Sequence, residues 1–257
     1  RVRLFTAFAS AALAGILIHA VLGRMEIAWL DPLMRWGPIF FLFTLFVAGG
    51  TTHSFNLIDG YNGLSSGTAL ILLGAMGYLA YLLNDQIVLM LSINVGMAVL
   101  GFMMWNWPKG RIFLGDGGAY LLGFCVVTLG LILLDRNPEV STWYFLCLIG
   151  YPTFETMFSM YRRKFFIKAK QDRPDDLHLH HLVHRLIVRL RGTNPDSWID
   201  NNSLTVVPLW IIVIVAMVVI THYYNDQAVL IWLYVLGAVS YKVIYRVLEW
   251  FDKRDAA

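Results

Sequence analysis

An all-α polytopic membrane protein is the fold class this sequence predicts, and three observations predict it. Hydrophobic residues make up 58% of the 257 positions and charged residues only 14%, where a typical soluble domain has about 25% charged. The apolar residues fall in runs close to the roughly 20 residues a helix needs to cross a bilayer. Transmembrane barrels alternate apolar and polar residues in segments of about ten, and these runs are continuous. The same composition excludes a soluble domain, which could not cover so apolar a core, and a disordered chain, which needs low hydrophobicity and high net charge. Cys125 and Cys147 both lie inside apolar runs, so neither a disulfide framework nor a cysteine metal site is expected. The net charge of +3 is small, and no nucleic-acid partner is expected.

Eight spans are expected: Leu4–Gly23, Met34–Thr51, Leu64–Leu83, Gln86–Trp105, Ala119–Leu134, Thr142–Tyr161, Leu204–His222 and Ala228–Leu248. The first is too long for a signal-peptide core, and no small-residue cleavage site follows it. Most of the others are bounded by residues that break or cap helices. Asn62-Gly63 opens the third span and Asn84-Asp85 closes it. Trp107-Pro108 follows the fourth, Gly117-Gly118 precedes the fifth, and Asn225-Asp226 separates the last two. The whole chain, 1–257, reads as one membrane domain with a long loop at 162–203.

Positive charge orients the bundle. With the N-terminus inside, the inner segments hold fifteen of the 20 Lys and Arg, nine of them between Arg162 and Arg191. The outer loops hold only Arg24, Arg35 and Arg136. Both termini are therefore expected in the cytoplasm. The inner connections are 52–63, 106–118 and 162–203, and nearly all unusual polar sequence falls on them. The stretch 192–203 reads as a polar linker.

The first inner loop contains Asn56-Leu57-Ile58-Asp59-Gly60-Tyr61-Asn62-Gly63, preceded by His53. A lone Asp-Gly is most simply a turn; four polar side chains at the edge of lipid are costly there without a task. The second holds Lys109 and Arg111, ordinary inner-face charges, and then Gly115-Asp116-Gly117-Gly118. A carboxylate between glycines at a helix mouth can reach a divalent cation while the backbone stays near a phosphate, and Mg²⁺ favours one or two carboxylates plus phosphate oxygens. The third carries Arg162-Arg163-Lys164 and then His178-Leu179-His180-His181. The H-x-H-H spacing is unlike the zinc-hydrolase pattern; clustered imidazoles and guanidiniums can bind a metal or suit phosphate oxygens. Glu155, two helical turns deeper than Arg162, is either a site residue or the partner of a nearby cation. The chemistry implied is metal-assisted handling of phosphates at the inner membrane surface.

These three motifs, in this order, resemble those of the polyprenyl-phosphate N-acetylhexosamine-1-phosphate transferases, the glycosyl transferase family 4 enzymes. The resemblance runs through roughly residues 1–190. It implies transfer of a sugar-1-phosphate from a UDP-N-acetylhexosamine to undecaprenyl phosphate, with release of UMP, as the first membrane step of a cell-surface polysaccharide. It further implies Mg²⁺, with Mn²⁺ as an alternative, and a bacterial plasma-membrane location with the site on the cytoplasmic face. Asp116 is the implied magnesium ligand, Phe113 the aromatic that stacks on uracil, and Asn106 a uracil-contacting residue. Asn56 and Asp59 line the nucleotide and metal pocket, Asp59 being grouped with the catalytic residues and Asn62 with the substrate contacts. His178, His180 and His181 serve catalysis and phosphate binding, and Arg162 and Arg163 match a run that precedes the histidines in the hexosamine branch. Membrane lipids are expected partners, and a homodimer is a candidate assembly.

The chain departs from the family at His53, where many members have Asn, and at Asn62, where many have Asp. An upstream Asp-Asp motif of the family has no counterpart here. The expectation is therefore the C-terminal portion of an eleven-helix enzyme, with little turnover from these 257 residues alone. The rivals are a phospho-muramyl-pentapeptide translocase, disfavoured because Leu179 interrupts the histidine run, and a non-catalytic scaffold or transporter fragment, disfavoured because polar residues gather at one face and no repeat is visible.

Overall fold

The computed structural model describes residues 9, 22–34, 36–167, 177–192 and 199–254, and every element among them is helical. Nine helices carry the fold: α1 Gly37–Leu57, α2 Leu64–Leu82, α3 Gln86–Asn106, α4 Gly115–Arg136, α5 Thr142–Leu148, α6 Gly150–Arg162, α7 Leu179–Arg191, α8 Val206–His222 and α9 Gln227–Arg254. Short turns of helix at Asp31–Met34 and Asn201–Leu204, and a π-helical turn at Arg163–Ile167, complete the described elements. Six helices among the described residues are long and apolar enough to cross a membrane. The chain is a multi-pass membrane protein.

Two of the eight expected spans are not among those six. Leu4–Gly23 lies outside the described residues apart from its last two positions and Ala9. Thr142–Tyr161 is broken into α5 and α6 at Ile149, which leaves the helical conformation with φ −82° and ψ 7°. Pro152 explains the break: it has no N–H to give the Leu148 carbonyl, and its ring would crowd that carbonyl in a continuous helix. The remaining spans hold with shifted ends. Helix α1 runs on through Asn56 and Leu57, so the first inner loop shrinks to residues 58–63, and α4 starts at Gly115, so Asp116 lies in its first turn.

Helices α1 and α4 lie side by side and antiparallel, with small residues at the contact, as membrane helices favour. A Cβ on Gly123 would come within 2.8 Å of Thr52 Cα. Asn56 is one turn from Thr52 toward the loop end and Asp116 two turns from Gly123 toward the same end, so this contact sets their meeting. Helix α2 packs against α3, α4 and α8, with Leu72, Met76 and Leu79 fully buried in the main core. Large apolar side chains of α3, α8 and α9, among them Met97, Val218 and Trp232, face outward, which suits lipid.

The outer end of the bundle is tied by paired polar groups. Asp85 caps α3 through Ile87 N and Val88 N, and its Oδ2 accepts from Arg136 Nε at 2.9 Å and Asn137 Nδ2 at 3.0 Å. Glu26 accepts from Thr142 N at 3.0 Å and from the Ser141 hydroxyl, and Ser141 N donates to Tyr224 O at 2.9 Å. Burial works to raise the Asp85 carboxyl, but the Arg136, Asn137 and Val88 hydrogen bonds outweigh it and hold the group below its ordinary value.

Candidate functional site

All three inner loops meet at the opposite end. The first two motifs join where Asn56 Nδ2, in the last turn of α1, donates to Asp116 Oδ1 at 3.0 Å. Asp59 lies just beyond that turn. Its carboxyl is pushed up to about 7, first by burial and then by the negative charge of Asp116. Two carboxylates close enough to resist joint ionisation are what a divalent cation relieves. Among the described residues no three His, Cys, Asp or Glu side chains gather tightly enough to hold a metal by themselves. That donor set fits Mg²⁺, which takes one or two carboxylates and completes its shell with phosphate oxygens and water.

The first turn of α4 has no side-chain cap, so its N–H groups point toward the loop side, as helix ends that bind anions do. Phe113 stands beside it, 77% exposed. So large an apolar side chain held in the open is suited to stacking on a planar ligand. Trp105 and Arg111 stack nearby, the guanidinium 5.8 Å from the ring centroid.

Asn106, the residue that the family resemblance implies for contact with uracil, lies between the first two inner loops. It is buried, its Oδ1 accepts from Gly63 N at 2.6 Å and its Nδ2 donates to Ile112 O at 2.8 Å. Both ends of the amide therefore tie the first inner loop to the second. Asn62 is likewise a tie: its N–H donates to Asn202 Oδ1 at 2.8 Å and its Nδ2 to Ser203 Oγ at 3.4 Å. The two loops close on each other through glycines with positive φ. Gly63 (φ 83°) would set a Cβ 3.0 Å from Trp107 and Trp210, and Gly110 (φ 58°) one 2.6 Å from Asn62 Nδ2; only glycine combines that backbone with that proximity.

The stretch read as a linker contributes directly. Asp200 caps the turn Asn201–Leu204 through Ser203 N. Ser203 O then accepts from Trp107 Nε1 at 3.0 Å, and the Ser203 hydroxyl donates to Pro108 O. The D-x-x-S cap was the legible signal. Residues 193–198 of that linker lie outside the described residues, as do Arg173-Pro174-Asp175-Asp176.

The histidine motif begins α7, an amphipathic helix that the expectation of a long loop did not include. Leu179, Leu182 and Val183 bury one face of it with Tyr241 and Tyr245 of α9. His180 is buried, and a Cβ on Gly60 would sit 3.2 Å from its Nε2, which puts the third motif against the first. His181 Nδ1 lies 2.9 Å from Tyr61 Oη. Tyr61, not foreseen as a site residue, packs edge-on against His180 and His181 and tilted against His184, with centroids 5.5, 5.4 and 5.0 Å away. His178 is held from below, its Nδ1 2.9 Å from Glu155 Oε1 and 3.0 Å from Ser159 Oγ. Glu155 is thus the partner of a histidine rather than of an Arg or Lys. Arg162 is buried, its Nη1 donating to Tyr245 Oη at 2.8 Å; Arg163 starts the π-helical turn and is half-buried.

Residues 1–134, just over half of the chain, match the model of glycosyl transferase family 4. The chain belongs to that family. It is 33% identical over 146 residues to a Bacillus subtilis protein named probable undecaprenyl-phosphate N-acetylglucosaminyl 1-phosphate transferase, covering 54% of this chain and 40% of that one. A Thermotoga maritima undecaprenyl-phosphate alpha-N-acetylglucosaminyl 1-phosphate transferase is 29% identical over 153 residues, 60% of this chain and 45% of its own length. A Bacillus velezensis phospho-N-acetylmuramoyl-pentapeptide-transferase is 39% identical over a shorter 99 residues, 38% of this chain and 30% of its own. The family 4 chain thus spans less than half of the length of these relatives.

Proposed function

We propose that this chain forms the nucleotide-sugar, metal and histidine part of an enzyme that transfers N-acetylhexosamine-1-phosphate from a UDP-sugar to undecaprenyl phosphate and releases UMP. The observation that carries the reading is the convergence of Asn56, Asp59, Asp116 and His180, from three motifs spread along the chain, on one end of a membrane bundle. The family and the printed names of the two hexosamine-transferase relatives support it. Matches to the peptidoglycan branch cover a smaller share of the chain.

Asp116, with Asp59 beside it, would hold Mg²⁺, which supplies charge neutralisation on the diphosphate. Phe113 stacks on the uracil, while Asn106 and Asn62 fix the loop that carries it. The N–H groups opening α4 donate to diphosphate oxygens. The acceptor's phosphate oxygen attacks the β-phosphorus, the bond to the UMP oxygen breaks, and the histidines with Arg162 and Arg163 balance negative charge as it moves. Positioning and electrostatics carry most of such a reaction. The charge bias and the bacterial relatives support a cytoplasmic position for this end, at a bacterial plasma membrane where UDP-sugars and the lipid phosphate meet; a homodimer is the candidate assembly.

The test is UMP release by the purified full-length protein given UDP-N-acetylglucosamine and undecaprenyl phosphate. Release that requires Mg²⁺ and the lipid and is blocked by tunicamycin supports the reading. Turnover with the muramyl-pentapeptide nucleotide instead moves it to the peptidoglycan branch, and binding of neither nucleotide returns it to a scaffold.

A further inference from the structure

Glu155 is the buried ionisable group that the proposed reaction leaves without a task. It is 0% exposed on α6, where a carboxylate is costly unless its charge is met. Oε1 accepts from His178 Nδ1 at 2.9 Å and from the backbone N–H of Leu179 at 3.0 Å. Ser159, one turn further along α6, brings Oγ to 3.0 Å from the same Nδ1. One stripe of α6 therefore grips a single ring nitrogen and, through Leu179, the first residue of α7. An ionised carboxylate only accepts, so the shared proton lies on Nδ1, and a neutral imidazole then carries its lone pair on Nε2. His178 also stacks on His180, with centroids 5.2 Å apart and planes 10° apart. Fixing one ring thus orients the ring that lies against Gly60.

We propose that Glu155 is the positioning residue of the histidine motif, holding His178 as its Nδ1–H tautomer so that Nε2 takes a proton from a phosphate hydroxyl. The proton passes from the P–OH oxygen to Nε2, and the imidazolium formed is balanced by the Glu155 carboxylate. The logic is that of the buried acid behind a catalytic histidine. The phosphate in this statement rests on the transferase reading; the tautomer does not.

The test is ¹⁵N-histidine NMR of the full-length protein in lipid nanodiscs at about pH 8, where an ordinary histidine is neutral, with His178 assigned by its loss in H178Q. The wild-type signal is expected as Nδ1–H, and in E155Q it shifts toward Nε2–H. E155Q is also expected to lower kcat by roughly 10²-fold or more with KM for the UDP-sugar nearly unchanged, to regain activity in part as E155D, and to add nothing to H178Q in the double variant. A wild-type Nε2–H signal, or additive effects in the double variant, overturns the proposal. A wild-type Nδ1–H signal without UMP release upholds the positioning and removes the transferase reading instead. If E155Q fails to fold, the wild-type spectrum still decides.

Discussion

The two ends of this bundle treat buried carboxylates in opposite ways. At the outer end Asp85 is met by Arg136, Asn137 and the N–H groups of α3, and its carboxyl is held low despite burial. At the inner end Asp59 is partly buried beside another carboxylate, Asp116, and its carboxyl is pushed up to about 7. The outer arrangement stabilises the native state. The inner one sets two carboxylates against each other, an arrangement that a bound cation would relieve.

The largest break of this contrast is Asp116→Ala. In the full-length enzyme it is expected to reduce UMP release by about 10³-fold or more, the scale of a lost metal contribution. Near-normal turnover would remove Asp116 from the metal site. Phe113→Ala comes next, raising the KM for the UDP-sugar about tenfold with kcat little changed, as loss of one base–aromatic stack does. An unchanged KM takes Phe113 out of the uracil site.

The outer end should answer in stability rather than activity. Asp85→Asn is expected to cost about 2 kcal/mol, the scale of hydrogen bonds to a charged group, read as a lower melting temperature in detergent with KM unaltered. A variant that loses activity before it loses stability would erase the distinction between the ends.

The smallest effect is the pH dependence, and its sign differs between the two aspartates. Asp85 has a lowered native pKa, so its contribution is complete above its unfolded value near 3.9 and is lost as pH falls through the native value. Asp59 has a raised one, so without Mg²⁺ the native state keeps a proton that the unfolded chain gives up between about 4 and 7, and stability falls as pH rises through that window. Thermal melts without metal should therefore show a decline from about pH 4 to about pH 7 that Asp59→Asn abolishes and Mg²⁺ reverses. A wild-type profile that stays flat would show that Asp59 titrates normally.

Much of the site was legible because its chemistry is local. Asp-Gly and Asn-Gly steps, the Gly-flanked Asp116 and the spaced histidines each announce themselves within ten residues. Tyr61 and Asn202 did not, because their roles exist through partners 120 and 140 residues away; Glu155 and the cap at Ser203 showed in the sequence, but their distant partners did not. Asn106 was legible as a polar residue at a helix end, yet its two amide partners belong to different loops and turn it into a tie. Helix α7 was hidden for a related reason: its apolar face of Leu179, Leu182 and Val183 is short and buries in a cluster with residues distant in sequence, among them Ile58, Leu209 and Tyr245.

By itself the sequence determined that the chain is helical and crosses a membrane, since backbone groups in lipid must be satisfied within each segment. It also determined that the polar motifs gather at one end of the bundle, since polar residues are too costly at mid-membrane to be scattered there. Only the tertiary structure decided where the sixth expected span breaks, that Asn56 reaches Asp116, and which acid stands behind His178. Those outcomes follow from close packing at Gly123 and Thr52 and from the pairing demanded of groups buried far apart in sequence.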